Sequence, residues 1–394
     1  MEPYPDTNEV FLDDALFARE MDALFDGSWV FVGADDQLAG PDSYFVYEAW
    51  GRSLLVTRDK AGELGAFVNA CTHRGTRLCR GPGQGKIQCP YHGWVFGCDG
   101  KLLGASRRRG FPPFKDEDYG LSRLAIDQVG RFLFVHGRPE PPVSLRDYLG
   151  EKVATLEDLS EMLRSPLFDY HMPIAGNWKL VVSGAIEDYH VPYVHGQSLE
   201  PSRQDVAEKV CLPSGHSSFV ITAPMPKLLQ LMVPIFFPGQ TPRLKLENHL
   251  LFPNFLLVTI WNAIHVTTFI PLGPDRSLRI SRLYDTSPQR SILSPLRWFM
   301  GLLRWIAKRG IRNVYDEDRR IVEEAQIGCH AGRSMPRGPA HADEARVEHF
   351  LREAAQRLGY SYPASAGEDE GGAPDAARVE PLEAAQEGGG NPGA

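Results

Sequence analysis

Two short pairs of cysteine and histidine most narrowly limit what this chain can fold into. The first pair is Cys71-Thr-His73 and the second is Cys89-Pro-Tyr-His92, with fifteen residues between them. Two thiolates and two imidazoles are the ligands of a [2Fe–2S] centre in which cysteines bind one iron and histidines bind the other. A glycine shortly after each pair gives the backbone the freedom that tight loops require. The spacing therefore predicts a [2Fe–2S] cluster held between two loops of a β-domain.

A structural zinc site is the main competing interpretation, because zinc proteins also use cysteine and histidine at short spacing. Here, however, each pair lies within a predicted β-hairpin, and Gly93-Trp94 directly follows the second pair, a pattern that is unusual for zinc. Two further cysteines, Cys79 and Cys98, lie near the loops but outside the ligand spacing. We interpret them as ordinary small residues, and we favour the iron–sulfur interpretation.

Composition and charge exclude several other classes of protein. The 394 residues are enough for two domains, and an apolar content of 43% with 23% charged residues is typical of a globular chain. The net charge of −8 comes mainly from the end of the chain, where seven acidic residues and one basic residue follow position 365. The rest is nearly balanced, so no nucleic-acid partner is indicated. With no secretory signal and no membrane span visible, we expect a cytoplasmic protein.

The hydrophobic pattern divides the chain into four parts of an α+β protein. Residues 1–42 contain an amphipathic helix at 13–26, which we expect to pack on the second domain. Residues 43–140 consist of short aromatic and β-branched runs punctuated by Gly, Pro and Asp, and they predict a small all-β domain. Residues 141–363 mix helix and strand signals and predict an antiparallel sheet covered by helices. Residues 364–394 are rich in Gly, Ala, Pro and Glu, and they predict a disordered acidic tail.

Periodicity predicts the elements of the second domain one by one. The stretch 295–313 is apolar on several faces with basic residues interspersed, which favours a core helix whose basic side chains reach the surface. A lid over a pocket and a docking surface for an acidic protein are its alternatives. The predicted helices are 157–163, 185–190, 295–326 and 342–358, and the predicted strands are 219–222, 248–252, 255–261, 264–270 and 278–284.

A second candidate metal site lies in the segment Glu187-Asp-Tyr-His190-Val-Pro-Tyr-Val-His195. Mononuclear iron that activates O₂ typically binds two histidines and one carboxylate on one face. On a regular helix, a spacing of five residues separates two side chains by about 140°. The two histidines therefore converge only where the helix is distorted or ends, and Pro192 can supply that break. An isolated pair at this spacing more often has no metal, but an upstream cluster that accepts electrons implies a second redox site.

The carboxylate of such a site must come from elsewhere in the chain. The best candidates lie on a predicted helical turn that is rich in acids, although such a turn is usually a solvated face. Spacing alone does not choose among Asp316, Glu317, Asp318 and Glu323.

Taken together, these segments resemble the catalytic subunits of Rieske non-haem iron ring-hydroxylating oxygenases. The resemblance runs from FDGSWVFVG (25–33) to about residue 360, and it is most specific in the two cluster loops and the histidine motif. It implies an all-β Rieske domain followed by a catalytic domain of the START/Bet v1-like fold. Respiratory Rieske proteins carry an additional cysteine in each loop, whereas Thr76 and Tyr91 stand at those places here. The resemblance is therefore to the low-potential oxygenase or ferredoxin type.

By this resemblance, two sets of residues bind metal. The members of the first set bind the [2Fe–2S] cluster, cysteines on one iron and histidines on the other: Cys71, Cys89, His73 and His92. The members of the second set bind mononuclear Fe(II): His190, His195 and Asp318. The sequence departs from the family at Ser183-Gly184, where many relatives carry an acid–asparagine pair whose asparagine borders the iron in some of them.

Glu187 matches the acid that, in the family, links the Rieske centre of one subunit to the iron of the next. Its position three residues before His190 predicts that both side chains share one helix face. There it would accept a hydrogen bond from His92 of a neighbouring chain. The plain alternative is an acid on a helix surface.

The resemblance implies a terminal oxygenase. Such an enzyme uses O₂ and electrons from an NAD(P)H-dependent reductase, directly or through a ferredoxin, to hydroxylate or oxidatively dealkylate a small apolar or aromatic organic substrate. No G-x-G-x-x-G fingerprint follows a strand here, which favours an external reductase. We expect a homotrimer without nucleic-acid or membrane partners. The alternatives are a Rieske-type electron-transfer protein with a non-catalytic ligand-binding domain, and a ligand-binding protein with structural zinc.

We expect an apolar substrate pocket walled by residues of the second sheet. The same residues are equally consistent with a plain sheet core. They are Phe219, Leu256, Val258, Ile260 and Trp261.

Overall fold

Two antiparallel sheets organise the part of the chain that this computed structural model describes, residues 2–164, 166–196, 206–222, 245–260, 263–286 and 297–362. Strands form in the segments where short aromatic and β-branched runs predict them. Further strands lie between and beside these segments. The strands are β1 (Glu2–Pro3), β2 (Trp29–Ala34), β3 (Ser43–Ala49), β4 (Arg52–Arg58), β5 (Leu64–Val68), β6 (Gly83–Gln84), β7 (Ile87–Gln88), β8 (Val95–Phe96), β9 (Leu102–Gly104), β10 (Arg123–Val129), β11 (Phe132–His136), β12 (Pro166–Ile174), β13 (Val206–Cys211), β14 (Ser217–Thr222), β15 (Lys245–Leu251), β16 (Phe255–Ile260), β17 (Ala263–Gly273), β18 (Arg276–Asp285) and β19 (Tyr360–Ser361).

Helices flank the sheets, and those predicted at 13–26, 157–163, 295–326 and 342–358 are confirmed in position. The opening helix begins where Asp13 accepts a hydrogen bond from the amide of Leu16 at 2.6 Å. A π-helical turn then continues it to Asp26. The α-helices are α1 (Asp14–Glu20), α2 (Leu145–Leu149), α3 (Lys152–Glu161), α4 (Trp178–Ala185), α5 (Val191–Val194), α6 (Arg297–Ala331) and α7 (Ala345–Arg357).

The first sheet has the strand order β2-β11-β10-β5-β4-β3-β6. Its edge strand β2 pairs with β11 from Trp29 opposite His136 to Ala34 opposite Phe132. The sheet therefore begins before residue 43, where the sequence placed the start of the β-domain. Every residue of β2 is buried, so the strand lacks the polar–apolar alternation by which a half-exposed strand is recognised.

The two Cys/His loops lie beside a separate small sheet with the order β7-β8-β9. These loops have their own hydrophobic core, which includes Phe67, Ile87, Trp94 and Phe96. That core is distinct from the two cores that hold the remainder of the molecule together. The cluster region is thus a compact unit whose loops do not depend on the second domain for packing.

The second sheet has the strand order β12-β18-β17-β16-β15-β14-β13, with antiparallel pairing throughout. All five predicted strands of this domain are confirmed in it. The apolar run 250–272 forms the end of β15, all of β16 and most of β17. Among the described helices, none is both long and apolar enough to cross a bilayer.

Both faces of the second sheet are covered. The inner face packs against α4, α6 and α7, with Trp178, Phe269 and Phe350 in the shared core. The outer face packs against α2, α3 and the first sheet, where Phe31 stacks on Phe255 with 4.0 Å between ring centroids. Because the inner face is the one that α4 and α6 cover, it is the face on which the histidine motif and the acidic turn meet.

A buried ion pair attaches the opening helix to α4. The side chains of Glu20 and Lys179 are 0% and 1% exposed. The Glu20 carboxylate accepts hydrogen bonds from the Lys179 ammonium and from the Trp178 indole, the latter at 2.8 Å. A buried charge without such partners would cost several kcal/mol, so these contacts fix the position of α4 relative to the N-terminal segment.

Two further predictions concern the second half of the chain. Trp305, within the basic apolar stretch 295–313, is 59% exposed, so the interpretation of a core helix is wrong at that position. Lys308 and Arg309 are exposed, as basic residues of α6 were expected to be. The tail predicted at 364–394 lies outside the described residues.

Candidate metal centres

The two cluster loops share one backbone arrangement. In the first loop, the amide of Cys71 donates to the carbonyl of Thr76 and the amide of Gly75 donates to the carbonyl of Cys71, both at 2.8 Å. The same two bonds recur at Cys89 and Gly93, at 2.7 and 3.0 Å. Both glycines have a positive φ, 68° and 69°, which residues with a Cβ rarely adopt. One type of turn therefore presents each cysteine in the same way.

Both histidines of the predicted cluster have an unsatisfied ring nitrogen. The ring centroids of His73 and His92 are 4.8 Å apart, and His73 stacks on Trp94 at 4.9 Å. The Nδ1 atoms of both histidines are buried and have no hydrogen-bond partner among the described residues. Because a buried polar atom without a partner is costly, two such atoms side by side fit ligation of an iron.

The spacing of the four residues does not fit a single zinc ion. Four protein ligands of one zinc lie within about 4 Å of one another. In the described ranges, three or more ligand atoms gather within 4.8 Å only at His190, His195 and Asp318, and not in the cluster loops. The wider spacing suits two irons with bridging sulfides. Burial also raises the pKa of the Cys71 thiol, so a bound metal is what favours its thiolate.

His190 and His195 flank the four-residue helix α5, at its N-cap and C-cap positions. The helix predicted at 185–190 is wrong, because α4 ends at Ala185 and the chain runs as a loop up to His190. Pro192 lies in the first turn of α5, where its missing N–H costs no helical hydrogen bond. The proline therefore starts a new helix, and the histidines converge because the helix between them is so short.

Asp318 on α6 completes a cluster of three ligand side chains. Its Oδ1 atom lies 2.9 Å from Nε2 of His195 and 3.7 Å from Nε2 of His190. The ligand atoms of all three residues lie within 4.8 Å of one another. Two histidines and a carboxylate on one face are the ligands of mononuclear non-haem iron, and they leave further coordination positions free. The geometry thus favours Asp318 among the four candidate acids.

The other acids of that turn have different partners. Glu317 places Oε2 2.8 Å from Nδ1 of His195. Asp316 accepts a hydrogen bond from the hydroxyl of Tyr170 at 3.3 Å. Glu323 accepts one from a backbone amide at 3.2 Å. They diverge because successive side chains of a helix point about 100° apart.

A carboxylate stands behind each histidine of the triad. Glu187 bonds Nδ1 of His190 with one oxygen, and with the other it accepts from the His190 amide at 3.1 Å. Glu317 takes the equivalent place behind His195. Outer carboxylates of this kind orient a ligating imidazole and raise its basicity. Glu187 does so from a loop, not from the shared helix face that its spacing predicted. The sequence predicts Glu317 only as a candidate metal ligand. Its place next to Asp318 is a signal that could have indicated this role behind His195.

Comparisons with known proteins identify both domains. Residues 28–115 match the Rieske [2Fe-2S] domain. Residues 161–360, about half of the chain, match the family of the ring hydroxylating alpha subunit (catalytic domain). The chain belongs to the ring-hydroxylating alpha-subunit family. Its cofactors are accordingly a Rieske [2Fe–2S] cluster in the first domain and mononuclear iron in the catalytic domain.

Individual relatives differ in their substrates. This alpha subunit is 34% identical over 201 residues to the toluate 1,2-dioxygenase subunit alpha of Pseudomonas putida, a match that covers 48% of the chain and 43% of that protein. It is 28% identical over 375 residues to the glycine betaine monooxygenase oxygenase subunit of Chromohalobacter salexigens, covering 83% of the chain and 79% of that protein. The chain spans about half the length of the toluate enzyme and of several other curated relatives that it matches.

Solved structures share the fold of this alpha subunit at low sequence identity. A quaternary ammonium Rieske monooxygenase in complex with L-carnitine has a TM-score of 0.74 at 21% identity, covering 91% of this chain and 100% of that one. Naphthalene 1,2-dioxygenase from Rhodococcus sp. bound to indole has a TM-score of 0.70 at 21% identity, covering 89% and 93%. The predicted α+β fold, a Rieske domain followed by a helix-covered antiparallel sheet, is confirmed.

The electrostatics of the triad favour a bound cation. Burial raises the pKa of Asp318, but its bonds to both histidines and the charge of Arg279 outweigh this and hold the pKa well below its usual range. Burial lowers the pKa of His190, whereas its bonds to Asp318 and Glu187 prevail and raise the pKa to about 9. Carboxylates that stabilise a proton on this imidazole also stabilise a divalent ion in its place.

A cavity of about 200 Å³ lies against the triad. Glu187, His190 and Asp318 border it, and α4, α6 and β12 provide most of its apolar wall. Gly184 also lines it. Of the residues predicted as pocket wall, Trp261 lies outside the described residues, and the others lie off this cavity: Phe219, Leu256, Val258 and Ile260.

Replacing Glu317 with glutamine is expected to weaken ferrous iron binding roughly 10- to 100-fold, because an amide lacks the charge that orients His195 and raises its basicity. Anaerobic titration of metal-free protein with ferrous ion measures the change. Asp316→Asn, one position away but directed to Tyr170, is the matched control and should bind iron like the wild type. Unchanged affinity in Glu317→Gln, or an equal loss in both variants, would contradict the role of Glu317.

Proposed function

We propose that this protein is the terminal oxygenase component of a Rieske non-haem iron system, which uses O₂ and delivered electrons to hydroxylate or oxidatively dealkylate a small organic molecule. The observation that carries the proposal is a triad of two histidines and one carboxylate beside a cavity, in the same chain as a Rieske domain. A pure electron carrier would need no such triad. A structural zinc would be enclosed by four protein ligands, whereas the triad supplies three.

The geometry of the cluster loops and that of the histidine–carboxylate triad support the proposed ligand roles. Two buried cysteines presented by matching turns and two histidines with unpartnered Nδ1 atoms support one set of cluster ligands. These are Cys71 and Cys89 for one iron, and His73 and His92 for the other. The convergence of ring nitrogens on one carboxylate oxygen supports the ligands of mononuclear iron. These are His190, His195 and Asp318.

The protein's share in the reaction is to hold, orient and shield. When bound, the cluster supplies electrons and the ferrous ion activates O₂ for transfer to the substrate. Glu187 and Glu317 keep the two imidazoles turned toward the metal position. Arg279 steadies the outer oxygen of Asp318 at 3.4 Å. The apolar wall of the cavity excludes water from the reacting side.

A head-to-tail contact between chains joins the two kinds of metal centre in this proposal. Tyr91 is 58% exposed and stacks on His92, so the histidine side of the cluster lies near the surface. Tyr193 on α5 is 81% exposed and stands next to the Glu187–His190 loop. Aromatic residues are enriched at protein–protein contacts. When His92 of one chain meets Glu187 of the next, the contact is heterologous and closes as a ring, and we expect a homotrimer.

Electrons come from a separate NAD(P)H-dependent reductase, directly or through a ferredoxin. The absence of a nucleotide-binding fingerprint from the sequence supports an external source. Such reductases and small organic substrates are found in the cytoplasm, where we expect this protein to act.

A panel of small aromatic, carboxylic and N-methylated compounds tests the activity. With NADH, a surrogate reductase and ¹⁸O₂, the wild-type protein is expected to convert at least one compound to a hydroxylated or dealkylated product, measured by mass spectrometry. Asp318→Ala should keep the visible absorption of the cluster and form no product, because its iron site loses a ligand. NADH consumption without product from any compound would favour the electron-carrier alternative. Equal product from Asp318→Ala would contradict the role of the triad.

Mixed assemblies test the contact between chains. Cys71→Ser removes a cluster ligand and Asp318→Ala removes an iron ligand, so each variant alone is expected to be inactive. Co-expressed with different affinity tags and purified through both, the mixture should regain part of the wild-type activity, because an intact cluster then adjoins an intact iron site in a neighbouring chain. The mixture would remain as inactive as its components if electrons moved only within one chain.

A further inference from the structure

Arg279 places a guanidinium at the border between the cavity and the triad. It belongs to β18, its side chain is 8% exposed, and it lines the same cavity as His190 and Asp318. Its Nη1 atom lies 3.4 Å from Oδ2 of Asp318, the oxygen turned away from the histidines. A largely buried positive charge therefore lies on the wall of the cavity, next to Asp318.

The guanidinium is held in one orientation. Its Cζ atom lies over the ring of Tyr315, 3.6 Å from the centroid. Its Nε donates to Ser281 at 3.2 Å, and the Tyr315 hydroxyl is 2.8 Å from Nδ1 of His265. Nη1 has the 3.4 Å contact with Asp318, and among the described residues no hydrogen bond of Nη2 is seen. Arginine binds carboxylates in pairs of hydrogen bonds through such nitrogens.

Arg279 shares Asp318, its acidic neighbour, with the metal triad. Glu187 is engaged by His190, and Asp318 faces both histidines as a metal ligand. Arg319, the other arginine on the cavity, is 34% exposed and lies near Asp316 and Glu323. Among the described residues, the acid near Arg279 is Asp318, and a bound metal would also be attracted to the charge of this carboxylate. A buried charge in this position is stabilised by a further anion.

We propose that Arg279 binds the carboxylate of the substrate, and that this oxygenase acts on a small organic acid. The proposal rests on the function proposed above, since the cavity is taken as the substrate site. The remaining wall is apolar and includes Met172, Ile174 and Val322, which suits the hydrocarbon part of such an acid. The cavity has a volume of about 200 Å³, which is smaller than the roughly 300–1,000 Å³ of pockets for drug-sized ligands. Its size therefore suits a small acid.

A quaternary ammonium group would meet the wrong environment here. Cations of that kind are held by aromatic faces or by free acids. Among the described residues that line this cavity there is no Phe, Tyr or Trp, and a second cation beside a buried guanidinium is repelled. Relatives include enzymes named for toluate and for glycine betaine. Both compounds carry a carboxylate, so what this environment disfavours is the quaternary ammonium group itself.

Binding of three probes of similar shape and different charge tests the proposal: benzoate, benzamide and benzyltrimethylammonium. Calorimetry under anaerobic conditions, on ferrous protein with its clusters intact, is expected to show benzoate binding at least roughly tenfold more tightly than benzamide, as loss of a charge-assisted pair of hydrogen bonds implies. Benzyltrimethylammonium should bind more weakly than either. Arg279→Gln should abolish the preference for benzoate, and Arg279→Lys should restore part of it.

Arg282→Gln is the matched control. Arg282 lies on the same strand but on the opposite face, with bonds of 2.6 and 2.7 Å to Asp169. It should keep the wild-type order of affinities. Iron content is measured for every variant, so that loss of metal from Arg279→Gln is recognised. In that event the wild-type comparison of the three probes decides alone.

Benzamide or the cation binding wild-type protein as tightly as benzoate, or no probe binding at all, would overturn the role of Arg279. These outcomes differ from failure of the proposed function, which shows as the absence of product with every compound of the panel. Charge-selective binding without any product would contradict the proposed oxygenase function and support the anion site at Arg279. Product from a neutral or cationic substrate would support the oxygenase function and contradict the anion site.

Discussion

One carboxylate shared by two histidines is the interaction on which the rest of this structure depends. Oδ1 of Asp318 faces Nε2 of both His190 and His195, while Glu187 and Glu317 stand behind the imidazoles. Three acids in so small a space repel one another unless cations accompany them. A divalent ion bound by neutral histidines offsets two of these three charges. The site is therefore built for a metal, and its stability and its chemistry have the same origin.

The scaffold exists to bring these groups together from distant parts of the chain. The inner face of the second sheet supports both α4 and α6, so the loop after α4 meets the acidic turn of α6. Arg346, 1% exposed, donates to the carbonyl of Ile186 at 2.8 Å and to Asn248 at 3.0 Å, which fixes the loop just before Glu187. At the other end, Glu20 and Lys179 secure the start of α4. The cluster loops, with their own core, need none of these contacts.

Much of this could be predicted from the sequence, because the informative residues are chemically unusual. The spacing of the cluster pairs and the proline between two histidines indicate both metal centres, and the strand patterns locate five of the seven strands of the second sheet, all but β12 and β13. Two errors have different physical causes. The fully buried strand β2 shows no alternation, so burial hides the local signal. The segment after Ala185 leaves the helix because tertiary contacts, such as the one from Arg346 to Ile186, hold it as a loop before Pro192 begins a separate helix. The choice of Asp318 over Glu317 needs the angle at which α6 approaches α5, which no local pattern contains.

One measurement tests most directly whether a single polypeptide holds both a histidine-ligated cluster and a separate ferrous ion. Mössbauer spectroscopy of protein enriched in ⁵⁷Fe and reduced with dithionite separates iron environments. The structure predicts one ferric site with sulfur ligands and one ferrous site with nitrogen ligands, coupled in a pair, and an uncoupled high-spin ferrous site in equal amount to each. Cluster iron without the uncoupled ferrous signal, or a protein that binds zinc and no sulfide, would contradict it.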